Sequence, residues 1–248
     1  MDQEFMRSTL VVEDNHWWYR GRRQVIRAEL DRLPISPGAR ILDAGCGSGR
    51  TLVELVDYGQ VAGVELSPEA AEVARGRGLG EIVQGPLEHL PWRPDSFELI
   101  VCLDVIEHTP DDRVALQELW RVCRPGGFLL VTVPAYQSLW SQHDESNHHY
   151  RRYSRRSLGA AATQAGWSLG RMSGFNSLLL APAAAVRLAQ RRMRSDNGAV
   201  NDLYATPWWF NDALELPLRL EASWLRHGRT LPMGLSLLAI LRKPWAPS

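Results

Sequence analysis

The segment Ile41-Leu42-Asp43-Ala44-Gly45-Cys46-Gly47-Ser48-Gly49 constrains this chain more than any other. Two apolar residues lead into an acid, three alternating glycines follow, and a helix pattern begins at Arg50-Thr51-Leu52. Glycine has no Cβ, so the chain can take positive φ there and a ligand can lie almost on the backbone. Strand, glycine turn and helix in that order read as a nucleotide-type cofactor site at the carboxyl end of a first parallel strand.

From 40 to 133 the pattern alternates strand and helix. Short apolar runs at 41–42, 61–64, 81–83, 97–102 and 128–133 are strands, and Val114, Leu116, Leu119 and Val122 recur at helical spacing. Ser67 before Pro68 reads as an N-cap with proline in the first turn. Near-continuous apolar strands separated by helices imply a parallel sheet covered on both faces. After Gly174 the alternation stops for several tens of residues, which include an amphipathic segment from Asn211 to Arg226, and a last strand at 235–241 restores the sheet. The expected organisation is a helical lid at 1–35, an α/β core at 36–174 and 230–243, and a helical insertion at 175–229.

The formal net charge is zero, so a nucleic-acid partner held by phosphate neutralisation is not expected. Lys243 is the only lysine, a bias that fits an arginine-favouring genome, so arginine position carries meaning here and arginine abundance does not. Three cysteines without a CxxC imply neither a disulfide framework nor a zinc knuckle. Asp2 and Glu4 with no long apolar run speak against a signal peptide. The apolar stretch from Leu178 to Val186 is interrupted by Pro182 and falls short of the roughly 20 residues a membrane span needs. A cytoplasmic protein is expected, peripheral to the inner membrane face if its acceptor is lipid-like.

A dinucleotide fingerprint is GxGxxG, and here the position three after Gly47 is Arg50. Asp43 would repel a pyrophosphate but suits an ammonium. Glu65 ends the second strand twenty positions after Gly45, where an acid can accept from both ribose hydroxyls. A cofactor with a positively charged amino-acid end and no phosphate fits this set.

Asp43 to Gly49, Glu65 and Asp104-Val105-Ile106-Glu107-His108 together resemble class I S-adenosylmethionine-dependent methyltransferases, in the small-molecule subgroup similar to ubiquinone- and menaquinone-biosynthesis enzymes. The resemblance covers about residues 38 to 135. It implies a Rossmann-like, doubly wound, seven-stranded and mostly parallel sheet with an antiparallel last strand. It further implies that Gly45, Cys46, Gly47 and Gly49 pack against the methionine moiety, with Asp43 near its amino group and Glu65 on the ribose. Leu66 and Leu87 would cover the adenine, and Cys102 and Leu103 would line the sulfonium side. Pro86 departs from the acid often found in the adenine loop, which puts the usual carboxylate contact there in doubt. In similar enzymes an N-terminal helix closes over the cofactor. That implies a lid role for the His16–Arg23 cluster, with Trp18 against the cofactor and Arg22 or Arg23 reaching its carboxylate.

Methyl transfer from a sulfonium is an in-line displacement that depends on positioning, with a base needed only for a protonated acceptor. The stretch after the fifth strand, Tyr136 and then Ser141 to Tyr153, is dense in candidate groups. In one reading His143 or His148 is a general base for O-methylation, with Asp144 orienting a ring. In a second, compatible reading Tyr136, His149, Arg151, Arg152 and Tyr153 clamp an anionic acceptor. In a third, His143, Asp144, His148 and His149 hold a metal; their types allow it, but the neighbouring arginines disfavour a cation, so no metal is expected. The insertion would supply an apolar acceptor pocket or a membrane surface, the latter through Trp208-Trp209-Phe210 and Arg187, Arg191, Arg192 and Arg194.

The leading expectation is therefore methyl transfer from S-adenosylmethionine to a small-molecule or lipid-linked acceptor, most naturally on oxygen. The competing classes are a non-catalytic S-adenosylmethionine-binding protein or partner subunit and, less favoured by the glycine spacing, an NAD-dependent dehydrogenase.

Overall fold

A computed structural model of the chain describes residues 13–181 and 211–245. Seven strands form one sheet in the order β3-β2-β1-β4-β5-β7-β6. They are β1 (Ala39–Ala44), β2 (Gly59–Glu65), β3 (Glu81–Gln84), β4 (Phe97–Leu103), β5 (Cys123–Pro134), β6 (Ser168–Phe175) and β7 (Ser236–Arg242). The β1 strand pairs in parallel with β2 and with β4, β2 with β3, and β4 with β5. β7 runs antiparallel between β5 and β6. This is the doubly wound sheet with a reversed last strand that the resemblance implied.

The helices are α1 (Trp17–Leu30), α2 (Leu52–Leu55), α3 (Pro68–Gly76), α4 (Asp112–Val122), α5 (Gln142–Ser146), α6 (Arg155–Gln164) and α7 (Asn211–Arg226). Four of these starts have a local cause. The Ser67 hydroxyl accepts from the Ala70 N–H at α3, and Asp111 accepts from the Arg113 and Val114 N–H groups at α4. Ser154 and Ser157 satisfy each other's backbone N–H groups at α6 in a capping box. The N-cap of α1 is His16, whose buried Nδ1 accepts from the Trp18 N–H at 3.2 Å. That assignment gives His16 a structural role within the cluster read as a lid.

The central strands are buried on both faces, as their apolar runs require. One face packs Leu116, Leu119 and Val122 of α4 with Leu158 and Ala162 of α6. The other packs Val25 and Ile26 of α1, Leu52 and Leu55 of α2, Ala71 and Ala74 of α3, and Leu218, Ala222 and Leu225 of α7. Lys243 is buried just past β7, where its ammonium donates to Asp95 and to the carbonyls of Trp120 and Cys123.

The described part of the insertion lies against the N-terminal helix. Gly21 of α1 meets Leu218 of α7 so closely that a Cβ on Gly21 would stand 2.5 Å from the leucine side chain. Arg20 pairs with Glu215 at 2.8 Å and with Asp212 at 3.1 Å, and Gln24 donates to Glu215. α1 and α7 thus pack together as one helical layer. Arg187, Arg191, Arg192, Arg194 and Trp208-Trp209-Phe210 lie outside the described residues, as does the side chain of His143. Among the described residues no helix is long and apolar enough to cross a membrane.

Candidate active site

The strand order reverses between β1 and β4, and the glycine loop follows β1 at that point. In open α/β sheets this crevice is where ligands bind. Gly45, Gly47 and Gly49 have φ of 83°, 54° and 75°, which L side chains rarely adopt. At Gly45 the space is also closed, since a Cβ would stand 2.5 Å from Val105. Cys46 packs down on β2, where a Cβ on Gly63 would meet its sulfur at 2.8 Å. Burial pushes the Cys46 thiol up, so it is inert as a nucleophile.

A cavity of about 180 Å³ opens beside this loop, and its lining includes Arg22, Asp43, Gly45, Cys46, Gly47 and Leu103. Asp43 is almost fully buried, and its Oδ2 has no hydrogen-bond partner among the described residues. Burial raises its carboxyl to about 7, against the opposing pull of Arg22. Arg22 reaches across from α1, 3.2 Å from the Asp104 carboxylate, and donates to the Leu103 carbonyl at 3.3 Å. A buried, unpartnered carboxylate oxygen with a guanidinium nearby suits a zwitterionic amino-acid end: ammonium on Asp43, carboxylate on Arg22. On the far side of the loop Glu65 accepts from the Gly47 and Ser67 N–H groups, both at 2.8 Å. One carboxylate therefore ties the glycine loop to the end of β2 and still has acceptor capacity for a ribose diol.

Two acids at this end were not singled out in the sequence. Glu13 lines the cavity and accepts from the Ser48 hydroxyl, and burial raises its carboxyl. Asp14 accepts from Arg50 at 2.6 Å, and Arg23 donates to the Glu13 carbonyl at 2.6 Å. Tyr19 also lines the cavity. Glu13 and Asp14 precede the aromatic cluster and match no motif, so only their approach to Ser48 and Arg50 reveals them.

Several expected cofactor contacts need correction. Trp18 does not line the cavity; its ring stacks on Phe175 with centroids 6.0 Å apart. Cys102 is fully buried within β4 among the core residues and offers no surface to a ligand. Its neighbour Leu103 does line the cavity. Leu66 is exposed beyond the end of β2, while Leu87 is buried in the core on the opposite face of the sheet from the Cys46 cluster.

In the histidine-rich loop the charged groups are paired with one another. Asp144 is fully buried and accepts from His149 Nδ1 at 2.9 Å, Arg152 Nε at 2.6 Å and the Ser141 N–H at 2.8 Å. Burial alone would raise its carboxyl, but these donors hold it well below the usual carboxylate range. Among the described side chains, the ring that Asp144 orients is thus His149, not His148. His148 is exposed, with φ of 56°.

The anion clamp is likewise corrected. Arg152 is buried against Asp144 and the Ala135 carbonyl. Arg151 pairs with Asp112 at 3.1 Å and donates to the Thr109 and Pro110 carbonyls. The buried Tyr153 hydroxyl donates to Asp112 at 2.6 Å. These three residues staple the loop to the core. Tyr136 sits half-buried at the end of β5 with φ of 59°, and Asp104 follows β4 with φ of 57°. Non-glycine residues held in this region mark strained sites, which cluster at functional rims.

Fold and crevice together define a Rossmann-like α/β domain with a ligand crevice at the strand-order reversal. The methyltransferase-domain family model matches residues 42–131. The chain is 34% identical over 148 residues to a malonyl-[acyl-carrier protein] O-methyltransferase of Enterobacter lignolyticus, covering 56% of this chain and 59% of that one. It is 35% identical over 103 residues to a ubiquinone biosynthesis O-methyltransferase of Xanthomonas campestris, covering 39% of this chain and 43% of that one. The match thus spans between about two fifths and three fifths of these relatives' length. Among solved structures, the methyltransferase in a Haloferax volcanii complex with the Trm112 methyltransferase activator shares the fold. It has a TM-score of 0.65 and 22% identity, covering 99% of this chain and 96% of that one.

Proposed function

We propose that this chain transfers a methyl group from S-adenosylmethionine to an oxygen atom of a small-molecule acceptor, giving S-adenosylhomocysteine. The observation that carries the reading is the buried, unpartnered Oδ2 of Asp43 on a residue that lines the glycine-loop cavity. Asp43 would hold the ammonium and Arg22 the carboxylate of the cofactor's amino-acid end, with Glu65 on the ribose. When bound, the cofactor supplies a methyl group already activated on a sulfonium.

The chain's own contribution is then to hold that end rigidly and to admit the acceptor past the rims of β4 and β5, between the turn at 104–110 and the loop at 136–153. His148, exposed at that rim, is the group proposed to take the acceptor's proton. Both curated relatives named above are O-methyltransferases, which supports oxygen as the methylated atom.

A lipid-like acceptor is supported by one feature of α7. Leu216, Leu220 and Trp224 recur every four residues along it and are exposed, and Arg229 stacks over the Trp224 ring at 4.3 Å. An apolar stripe with an arginine at its margin suits the surface of a bilayer.

Calorimetry with S-adenosylhomocysteine and with NAD tests the core of the reading. S-adenosylhomocysteine should bind and NAD should not. NAD binding without S-adenosylhomocysteine binding overturns it in favour of a dehydrogenase.

A further inference from the structure

The short helical turn Ile106–His108 after β4 brings Glu107 and His108 against the far end of the histidine-rich loop. The Tyr150 N–H donates to the Glu107 carbonyl at 2.8 Å, and the rings of His108 and His149 meet edge-on with centroids 4.6 Å apart. One ligand atom from each of Glu107, His108 and His149 lies within 4.8 Å of the others.

Two further observations point to what this group holds. Glu107 is 1% exposed, yet neither of its carboxylate oxygens has a hydrogen-bond partner among the described residues. Burying a carboxylate without partners is costly, and such groups are normally paired or bound to a metal. The second observation is the Asp144–His149 pair. The buried Asp144 carboxylate stands 2.9 Å from His149 Nδ1 and fixes the orientation of the ring. A carboxylate behind a histidine is the usual support of a metal-bound imidazole. The arginines that would repel a cation are already neutralised, Arg152 by Asp144 and Arg151 by Asp112.

We propose that Glu107, His108 and His149 form a divalent transition-metal site, with Asp144 positioning His149. One carboxylate and two imidazoles suit Zn²⁺ and its neighbours better than Mg²⁺ or Ca²⁺. Three protein ligands, with His108 on the exposed side, leave a coordination position open.

This proposal rests on the methyltransferase reading for its chemistry. The open position takes the hydroxyl oxygen of the acceptor. As the oxygen coordinates, its proton passes to His148. Its electron pair then forms the new O–C bond while the C–S bond breaks onto sulfur, leaving a neutral thioether.

The test uses the full chain stripped of metal with a chelator and titrated with Zn²⁺, Mn²⁺ or Co²⁺ alone in a calorimeter. One equivalent should bind, and the Co²⁺-loaded protein should show a visible absorption band of low coordination number. His108→Ala, at an exposed position, and Glu107→Gln should each lose at least a hundredfold in affinity, and Asp144→Asn ten- to a hundredfold. S-adenosylhomocysteine is titrated into the same preparations. If none of the three cations binds while S-adenosylhomocysteine does, the metal site is overturned and the methyltransferase reading stands. If a cation binds with unchanged affinity in both His108→Ala and Glu107→Gln, it sits elsewhere and the proposal is equally overturned. If a cation binds through these residues and S-adenosylhomocysteine does not, the site stands and the assigned chemistry falls.

Discussion

The glycine-loop end of the crevice and the histidine-rich loop carry comparable densities of charged side chains, yet they use them in opposite ways. At the glycine loop, Asp43 keeps an unpartnered buried oxygen and a cavity opens beside it. In the loop, Asp144, Arg152, Arg151 and Tyr153 close on one another and on the core. The first region keeps acceptor capacity open to a ligand, while in the second these four side chains spend theirs on one another and on the core. The difference teaches that a side chain's chemical type announces what it can do, while its existing partners decide whether it is available.

The sharpest way to break this contrast is Asp144→Ala. Removing one partner of a buried ion pair leaves Arg152 uncompensated and should lower stability by about 3–5 kcal/mol, read from urea unfolding. The Asp144 carboxyl is held below its unfolded value of about 3.9. Its stabilising effect is therefore complete above about pH 4 and lost as pH falls below that, through the folded value. An unfolding midpoint that tracks wild type across this acid range in the variant's presence would mean the loop is held by other contacts.

A smaller effect probes the receptive end. Asp43 is raised by burial to about 7 and must be ionised to pair with an ammonium. Affinity for S-adenosylhomocysteine should be flat above about pH 7 and fall about tenfold per unit below it, about 1.4 kcal/mol each. In Asp43→Asn affinity should be weaker and lose that slope. A slope of equal size in the variant would place the titrating group elsewhere.

The smallest effect concerns α7. Leu220→Gln at its exposed stripe should change stability by no more than about 0.5 kcal/mol. It should nonetheless weaken co-flotation of the chain with anionic vesicles. Equal flotation by variant and wild type would remove the bilayer from the acceptor reading.

The glycine loop was legible in the sequence because its requirement is on the backbone. Positive φ and a closed approach to Val105 leave glycine as the residue that fits, so identity reports geometry directly. Asp43 and Glu65 were legible with it, because strand ends fix where they point. The loop was not legible in the same way. Asp144 selects His149 over His148 because the chain turns at His148 through positive φ, a path that residue types do not encode. Arg151 and Arg152 would look the same in a clamp and in a staple. Trp18 was misread for a related reason: an aromatic beside arginines suits a lid or a core equally, and only Phe175 opposite decides it. Glu107 and His108 were part of the motif that suggested the family, but their meeting with His149 depends on a contact between segments some forty residues apart.

The placement of β7 has a consequence for how this chain comes into being. β6 pairs with the rest of the sheet through β7, and α1 is pinned by α7, so two pieces of chain wait on two that are made after them. A ribosome that has released everything through β6 has already produced the glycine loop, Asp43, Glu65 and the histidine-rich loop. The helix that carries Arg22 still lacks its brace, and the strand after β5 still lacks its neighbour. The helix that brings Arg22 to the cavity is therefore braced only once α7 has been made.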